Sequence, residues 1–471
     1  MSALWGRPPG VPSGPGGLSG RPEGADYAGM AAEIIAQALV AGATDAECTI
    51  SEGDEFSANV RLREVETLKE AGSRGAGLRI LKGLHTGSAY TSDLSAAGIA
   101  HMVRSAIELA EITTADPHAG LPEPAELGSI AGDLGMYSSD VEGLATELKI
   151  DMARRAEDAA LRADPRITNS EGASFDTHLG RHAFANSRGF AGEYRASYCS
   201  LSTVPVAREG ESMERDYWFT TARAFAGLEK PEEVGRIAAQ RAVRRLGARK
   251  VETQKVPVVF EPRTARTLLD NIFDAVHGGA IYRNESFLAG KLGERVASEK
   301  LTVIDDGTIP GLFGTSPFDD EGVPTRRTVV IENGVLRSYL LNTYTARKLG
   351  LRTTGNASRG LAGNAGVGNG NLYIERGSAP PEQLIAGIRD GFYVTELMGF
   401  GVNIVTGDYS RGAAGLWIRN GELAFPVSEV TIAGTLQQML LNLEGVGADL
   451  EFRGSMASPT LVVAEMTVGG R

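Results

Sequence analysis

Residues 271–287 read NIFDAVHGGAIYRNESF and place a single histidine, His277, beside two glycines where a helical pattern of Ile272, Phe273 and Val276 runs out. A zinc helix presents two ligands one turn apart and draws on a third protein ligand elsewhere. Among the six histidines only His178 and His182, in FDTHLGRHAFANS, have ligand-like spacing. On a helix such a pair could share an ion, but Gly180 lies between them and the surrounding pattern is not amphipathic. On a strand four residues span about 13 Å, too far for one ion with bonds near 2 Å, so both are expected to be solvated or hydrogen-bonded strand histidines. The acidic groups Asp305-Asp306 in VIDDG and Asp319-Asp320-Glu321 in FDDEGV are of the type that serves acid–base catalysis. Strand neighbours point to opposite faces, however, and Asp before Gly commonly caps a turn. Ser286 lacks the Gly-x-Ser-x-Gly elbow, and Cys199, alternating with strand residues and without a base nearby, reads as a buried, inert thiol.

The elements that would hold these residues follow from periodicity. Residues 26–43 predict a helix with Ile34, Ile35, Leu39 and Val40 on one stripe. Strand-like runs follow at 56–68, 77–83 and 85–93, then a helix over 95–111 carrying Ile99, Val103, Ile107 and Ala110. A Pro-rich connector (115–128), a helix (147–163), a strand-rich stretch (167–223) and a helix opened by Pro231 complete the first half. Beyond a boundary near residues 247–255 the chain reads mostly as β. There Asn333-Gly334 and Asn420-Gly421 mark hairpins, because both central residues of such a turn take φ > 0. The predicted fold is α+β. An N-terminal region over 26–250 packs helices on an antiparallel sheet, and a large, mostly antiparallel β region fills 251–471.

Composition narrows the function. At 42% hydrophobic and 23% charged residues the chain is an ordinary globular protein. A net charge of −12 argues against nucleic-acid binding, which needs a basic excess. No run reaches the roughly 18 apolar residues of a membrane span. Two distant cysteines, Cys48 and Cys199, exclude a disulfide framework, and residues 1–25, rich in Gly and Pro, are expected to be a disordered tail without a signal-peptide core. A cytoplasmic location is expected. The Gly-rich stretch 355–371 lacks P-loop spacing and its Lys-Ser/Thr pair.

Several stretches, taken together and in order, resemble the TldD/PmbA family and its PmbA (TldE) branch. They are NSEGASFD, ANSRGFAGEYRAS, ESFLAGKLGERVASEKLTVIDDG, FDDEGVPTRRTVVIENGVLRSYLLNTYTARKLG, TTGNASRG, GFGVNIVTGDYSRGAAGLWIRNGELAFPVSEVTIAGTL and SPTLVVAEMTVGG, covering most of the chain after its tail. The resemblance implies a two-subunit cytosolic metallopeptidase acting on unfolded or modified peptides. Its TldD-type subunit holds zinc on an HExxxH helix and also uses a late cysteine, whereas the PmbA-type subunit lacks that set. Aligned through SFLAGKLGERVAS, Phe273 and Gly278 stand at the two histidine positions, Asp274 at the glutamate, and His277 one residue from the second ligand. No cysteine follows Cys199. The resemblance thus implies no catalytic residue, metal or cofactor in this chain, zinc in a TldD-like partner, and activity only with that partner. An extended peptide adding to a sheet edge is the expected mode of substrate contact. The candidate contacts are Gly363, Asn364, Val367, Asn369 and Asn371 in the Gly-rich loop, with the strand NLYIERG as the edge. Two other readings stay open: a stand-alone homodimeric peptide-binding protein, and a hydrolase with an unrecognised active site.

Overall fold

The computed structural model describes residues 25–471, so the expected disordered tail, save its last residue, lies outside the described residues. The N-terminal half runs α1 (Tyr27–Val40), β1 (Asp45–Arg61), β2 (Glu64–Lys82), β3 (His85–Thr91), α2 (Ala96–Ile112), a short α3 (Ser139–Glu142), α4 (Thr146–Ala163), β4 (Ile167–Asn186), β5 (Ala191–Glu209), β6 (Ser212–Arg215), β7 (Trp218–Ala222) and α5 (Pro231–Val243). Its strands make one antiparallel sheet in the order β3-β2-β1-β4-β5-β6, with β7 also paired to β5.

Alternation along the strands sorts this sheet into two unlike faces. Cys48, Ile50, Leu78, Ile80 and Ala183 pack under α1 and α2, while Phe175, Cys199 and Leu201 pack under α4 and α5. The opposite face carries Glu47, Glu55, His178, His182, Tyr194 and Tyr198, and it meets the C-terminal half. There Arg359 reaches Glu47, which Arg79 also contacts at 2.7 Å. Burial alone would raise the Glu47 carboxyl, but the two guanidinium groups hold it below its usual value. Gly77 is required at this seam, because a Cβ there would stand 1.4 Å from the Leu361 carbonyl.

Two local expectations are corrected. In α1 the buried stripe is Tyr27, Ala31, Ile34, Ile35 and Ala38, with Leu39 and Val40 exposed; small alanines, not the larger end residues, keep the 3.6-residue period against the sheet. The run 56–68 is not one strand but the tip of the β1–β2 hairpin, which turns at Leu62-Arg63 with φ of 50° and 72°. Neither residue suits that conformation. The buried Glu157 of α4 supplies what the local sequence lacks, accepting from Leu62 N at 2.8 Å and Arg63 N at 2.7 Å.

The C-terminal half comprises β8 (Gln254–Phe260), α6 (Pro262–Val276), α7 (Gly278–Tyr282), β9 (Val303–Asp306), β10 (Arg327–Glu332), β11 (Val335–Leu336), α8 (Thr343–Leu349), β12 (Ala357–Ser358), β13 (Gly366–Val367), β14 (Leu372–Ile374), α9 (Pro381–Ala386), β15 (Asp390–Met398), β16 (Asp408–Arg419), β17 (Glu422–Thr435), α10 (Leu436–Leu441), β18 (Leu443–Val446), β19 (Met456–Ala457) and β20 (Leu461–Gly469). One sheet runs β17-β16-β15-β8-β20-β18, and a further β17–β20 pairing closes it on itself. A second runs β11-β10-β9-β14-β19, and β12 with β13 forms a small hairpin. The pairings between these named strands are antiparallel except β8–β15 and β14–β19. Both Asn-Gly turns form as predicted, with positive φ at Asn333, Gly334, Asn420 and Gly421. The fold is α+β with a large β-rich C-terminal part.

Candidate functional site

Helix α6 starts with Pro262 in its first turn and buries Ala265, Leu268, Leu269, Ile272, Ala275 and Val276. Its other face, with Arg263, Arg266, Thr267 and Asp270, lines a cleft of about 770 Å³. The helix ends where Leu340 captures the backbone in a parallel bridge: Leu340 N donates to Val276 O, and Gly278 N to Leu340 O. His277 therefore leaves the helical path, with ψ of 122°, and its Nδ1 accepts from Gly279 N at 3.0 Å as the cap of α7. Desolvation, with Arg283 nearby, pushes its pKa down and favours the neutral ring that such acceptance needs.

The other expected metal-helix positions fit a metal no better. Phe273 is partly buried against the core and meets the His277 ring edge-on. Gly278 is buried, and a Cβ there would stand 2.6 Å from Thr345 Oγ1 and 2.7 Å from Leu341 Cδ2. No side chain, histidine included, fits without moving α8. Asp274 is exposed one turn after Asp270, and desolvation and then the Asp270 charge raise its carboxyl. Among the described residues no three His, Cys, Asp or Glu side chains come together as a metal set.

The cleft itself is built of arginines, carboxylates and aromatic rings from both halves of the chain. Arg241 joins Asp216 at 3.2 Å and Glu261 at 2.6 Å; Arg263 reaches Asp216 at 3.4 Å and lies 3.9 Å over the Tyr217 ring. Arg453 lies 4.3 Å over Trp218 and pairs with Glu229 at 2.7 Å. Such mutual pairing fixes the walls and lets the stacked rings present apolar surface. Strand β19, at the end of its sheet, runs along the same cleft with Ser455 and Ser458 beside it. The lining contains neither histidine nor cysteine.

The Gly-rich loop lies elsewhere. Asn364 accepts from Arg79 Nε at 2.8 Å across the seam, Val367 is buried in β13, and Gly363 takes φ of 101° in the open. Asn369 donates to the Gly370 carbonyl, and Asn371, fully buried, bonds Asp306 O and Thr315 Oγ1. Strand β14 is no open edge, since β9 flanks one side and β19 the other. The pairing partner lies more than 80 residues onward, at Met456, which local pattern does not reveal.

The remaining chemistry candidates have structural partners. His178 stacks on Tyr198, and His182 lies beside Tyr194 with Asp320 at 3.5 Å. Ser286 Oγ donates to Ala275 O at 2.6 Å, and burial pushes the Cys199 thiol up to about 12. Asp306 caps its turn through Thr308 N. Asp305, Asp319 and Asp320, set apart by sequence reasoning, line one smaller cavity together. The cleft residues Tyr217, Trp218, Arg263, Asp270 and Arg453 went unread in sequence, although DYWF and PRTAR carry the aromatic and arginine cluster.

With this geometry in view, the chain matches the PmbA/TldA metallopeptidase family models in three parts: domain 1 over residues 46–110, the central domain over 139–246 and the C-terminal domain over 253–470. It is 39% identical to "Metalloprotease PmbA" of Escherichia coli O157:H7 and 37% identical to the "Metalloprotease PmbA homolog" of Haemophilus influenzae. Each match covers 92% of this chain and 94% of the relative. The crystal structure of a proposed DNA-gyrase modulator from Bacteroides thetaiotaomicron superposes with a TM-score of 0.88 at 29% identity, covering 95% of this chain and all of the other. TldE from Thermococcus kodakarensis shares the fold at a TM-score of 0.84 and 22% identity, over 94% of this chain and all of the other.

Proposed function

The chain belongs to the PmbA/TldD metallopeptidase family, and from that premise we propose that it is the non-catalytic, PmbA/TldE-type subunit of a two-chain peptidase. A TldD-like partner would supply zinc, and this chain would complete the chamber and grip extended substrate. The observation that carries this reading is Gly278, which stands at the second histidine position of the expected zinc helix, where even a Cβ would have to displace Thr345 and Leu341. The early end of α6 and the Phe273 side chain support it as well.

Substrate contact in this reading falls on the large cleft. An unfolded segment adds to the edge of β19 through backbone hydrogen bonds, which tolerate many sequences. Its side chains meet Trp218, Tyr217 and the arginine–carboxylate lattice, to which α6 contributes Arg263. Among the described residues no helix is long and apolar enough to cross a membrane. Mild affinity purification of the tagged chain from its source cells tests the assignment. Stoichiometric recovery of a relative carrying an intact HExxxH helix is the expected result. Recovery as a homodimer without such a relative would overturn it and favour a stand-alone peptide-binding protein.

A further inference from the structure

The second cavity lies between the polar face of the N-terminal sheet and the loops around β9, and it encloses about 280 Å³. A water molecule takes about 30 Å³ of liquid, so this space suits a ligand of several heavy atoms. Its lining includes Tyr194, Phe313 and Phe318 together with Asp305, Asp319, Asp320 and glycine backbone.

Most of the charged groups there are already used. Asp319 accepts from Glu321 N, Val323 N and Ala357 N, and Asp320 from Arg359 N. Arg223 donates its terminal nitrogens to the carbonyls of Ser197, Leu312 and Phe313. Two buried groups are left open. Asp305, 2% exposed, accepts from Asn356 Nδ2 through Oδ2 at 2.7 Å, but its Oδ1 has no hydrogen-bond partner. Arg223 Nε likewise has none. A buried carboxylate oxygen without a partner is costly, and a cationic donor of the right size would relieve it. Desolvation lifts the Asp305 carboxyl only to about 6, which leaves it anionic at neutral pH.

We propose that this cavity binds the primary ammonium group of an amino-acid-sized ligand through Asp305, with its apolar part against Tyr194, Phe313 and Phe318. Two sources share that chemistry, a free amino acid and the amino terminus of a peptide. A free amino acid also offers a carboxylate to Arg223 Nε. The proposal uses no partner subunit and does not rest on the peptidase reading.

Ligand-observed NMR and thermal-shift titrations of the full chain test it, with L-leucine, L-leucinamide and N-acetyl-L-leucine as probes. The amine-bearing probes are expected to bind saturably, with N-acetyl-L-leucine at least tenfold weaker. Asp305→Asn, which keeps the acceptor for Asn356, is expected to weaken the amine-bearing probes at least tenfold. Tighter binding of leucine than of leucinamide assigns a free amino acid, and equal or reversed affinity assigns a peptide end; both support the ammonium site. The proposal is overturned if no probe saturates, if the acetylated probe binds as well, or if Asp305→Asn binds undiminished.

Discussion

Asp305 carries a pH signature of its own. Its folded-state carboxyl is pushed up to about 6, from 3.8 for a free aspartate, because burial disfavours the charged form. Its contribution to stability is therefore complete below about pH 4 and is lost as pH rises through 6, at a cost of about 3 kcal/mol in all. Asp305→Asn removes that dependence. Urea denaturation at pH 4.5 and 7.5 should find the variant gaining on the wild type at the higher pH; a gap that ignores pH would show that Asp305 is not desolvated as described. Gly278 makes the opposite point, through space and not charge. Gly278→Ala should lose about 1–3 kcal/mol by overpacking against Thr345 and Leu341, and the pair Phe273→His, Gly278→His should gain no zinc by metal analysis. The sequence states that histidine is missing at 278. That a histidine could not be restored there depends on α8, some 65 residues onward, and is legible only in three dimensions.

Among the elements, the turns show most plainly where local reading works and where it stops. Asn333-Gly334 and Asn420-Gly421 hold positive φ by residue type, so their hairpins are readable from four letters each. Leu62-Arg63 adopts the same region only because Glu157, 95 residues away, receives both amides. Glu157→Ala strands those donors and should cost about 2–4 kcal/mol. Adding Leu62→Asn with Arg63→Gly should recover part of that loss, and no recovery in urea melts would show that the helix carboxylate acts other than on the turn. Helices α2 and α6 were readable from periodicity, and α1 only in part. The end of α6 at Val276 was readable too, before Gly278-Gly279, but the bridge to Leu340 that fixes it was not. The cleft escaped sequence reading for the same reason, because its walls come from β7, α6 and β19, which are adjacent only after folding.

At the scale of the whole molecule the polar sheet face, sealed by Arg359 and Glu47, joins the two halves, and the cleft opens where α5, α6 and β7 meet. The α+β class and the order of regions were legible because strand alternation and helix period persist over long segments. The arrangement of one half on the other was not, since it depends on single contacts such as Leu361 on Gly77. In the proposed function this chain grips substrate while a partner performs hydrolysis. The direct measurement is cleavage of an unfolded protein, with zinc supplied, by this chain alone, by a TldD-like chain alone and by the two mixed. Cleavage by the mixture, its loss when the partner's HExxxH motif is broken, and none by this chain alone are the expected results. Zinc-dependent cleavage by the purified chain without a partner would contradict that function.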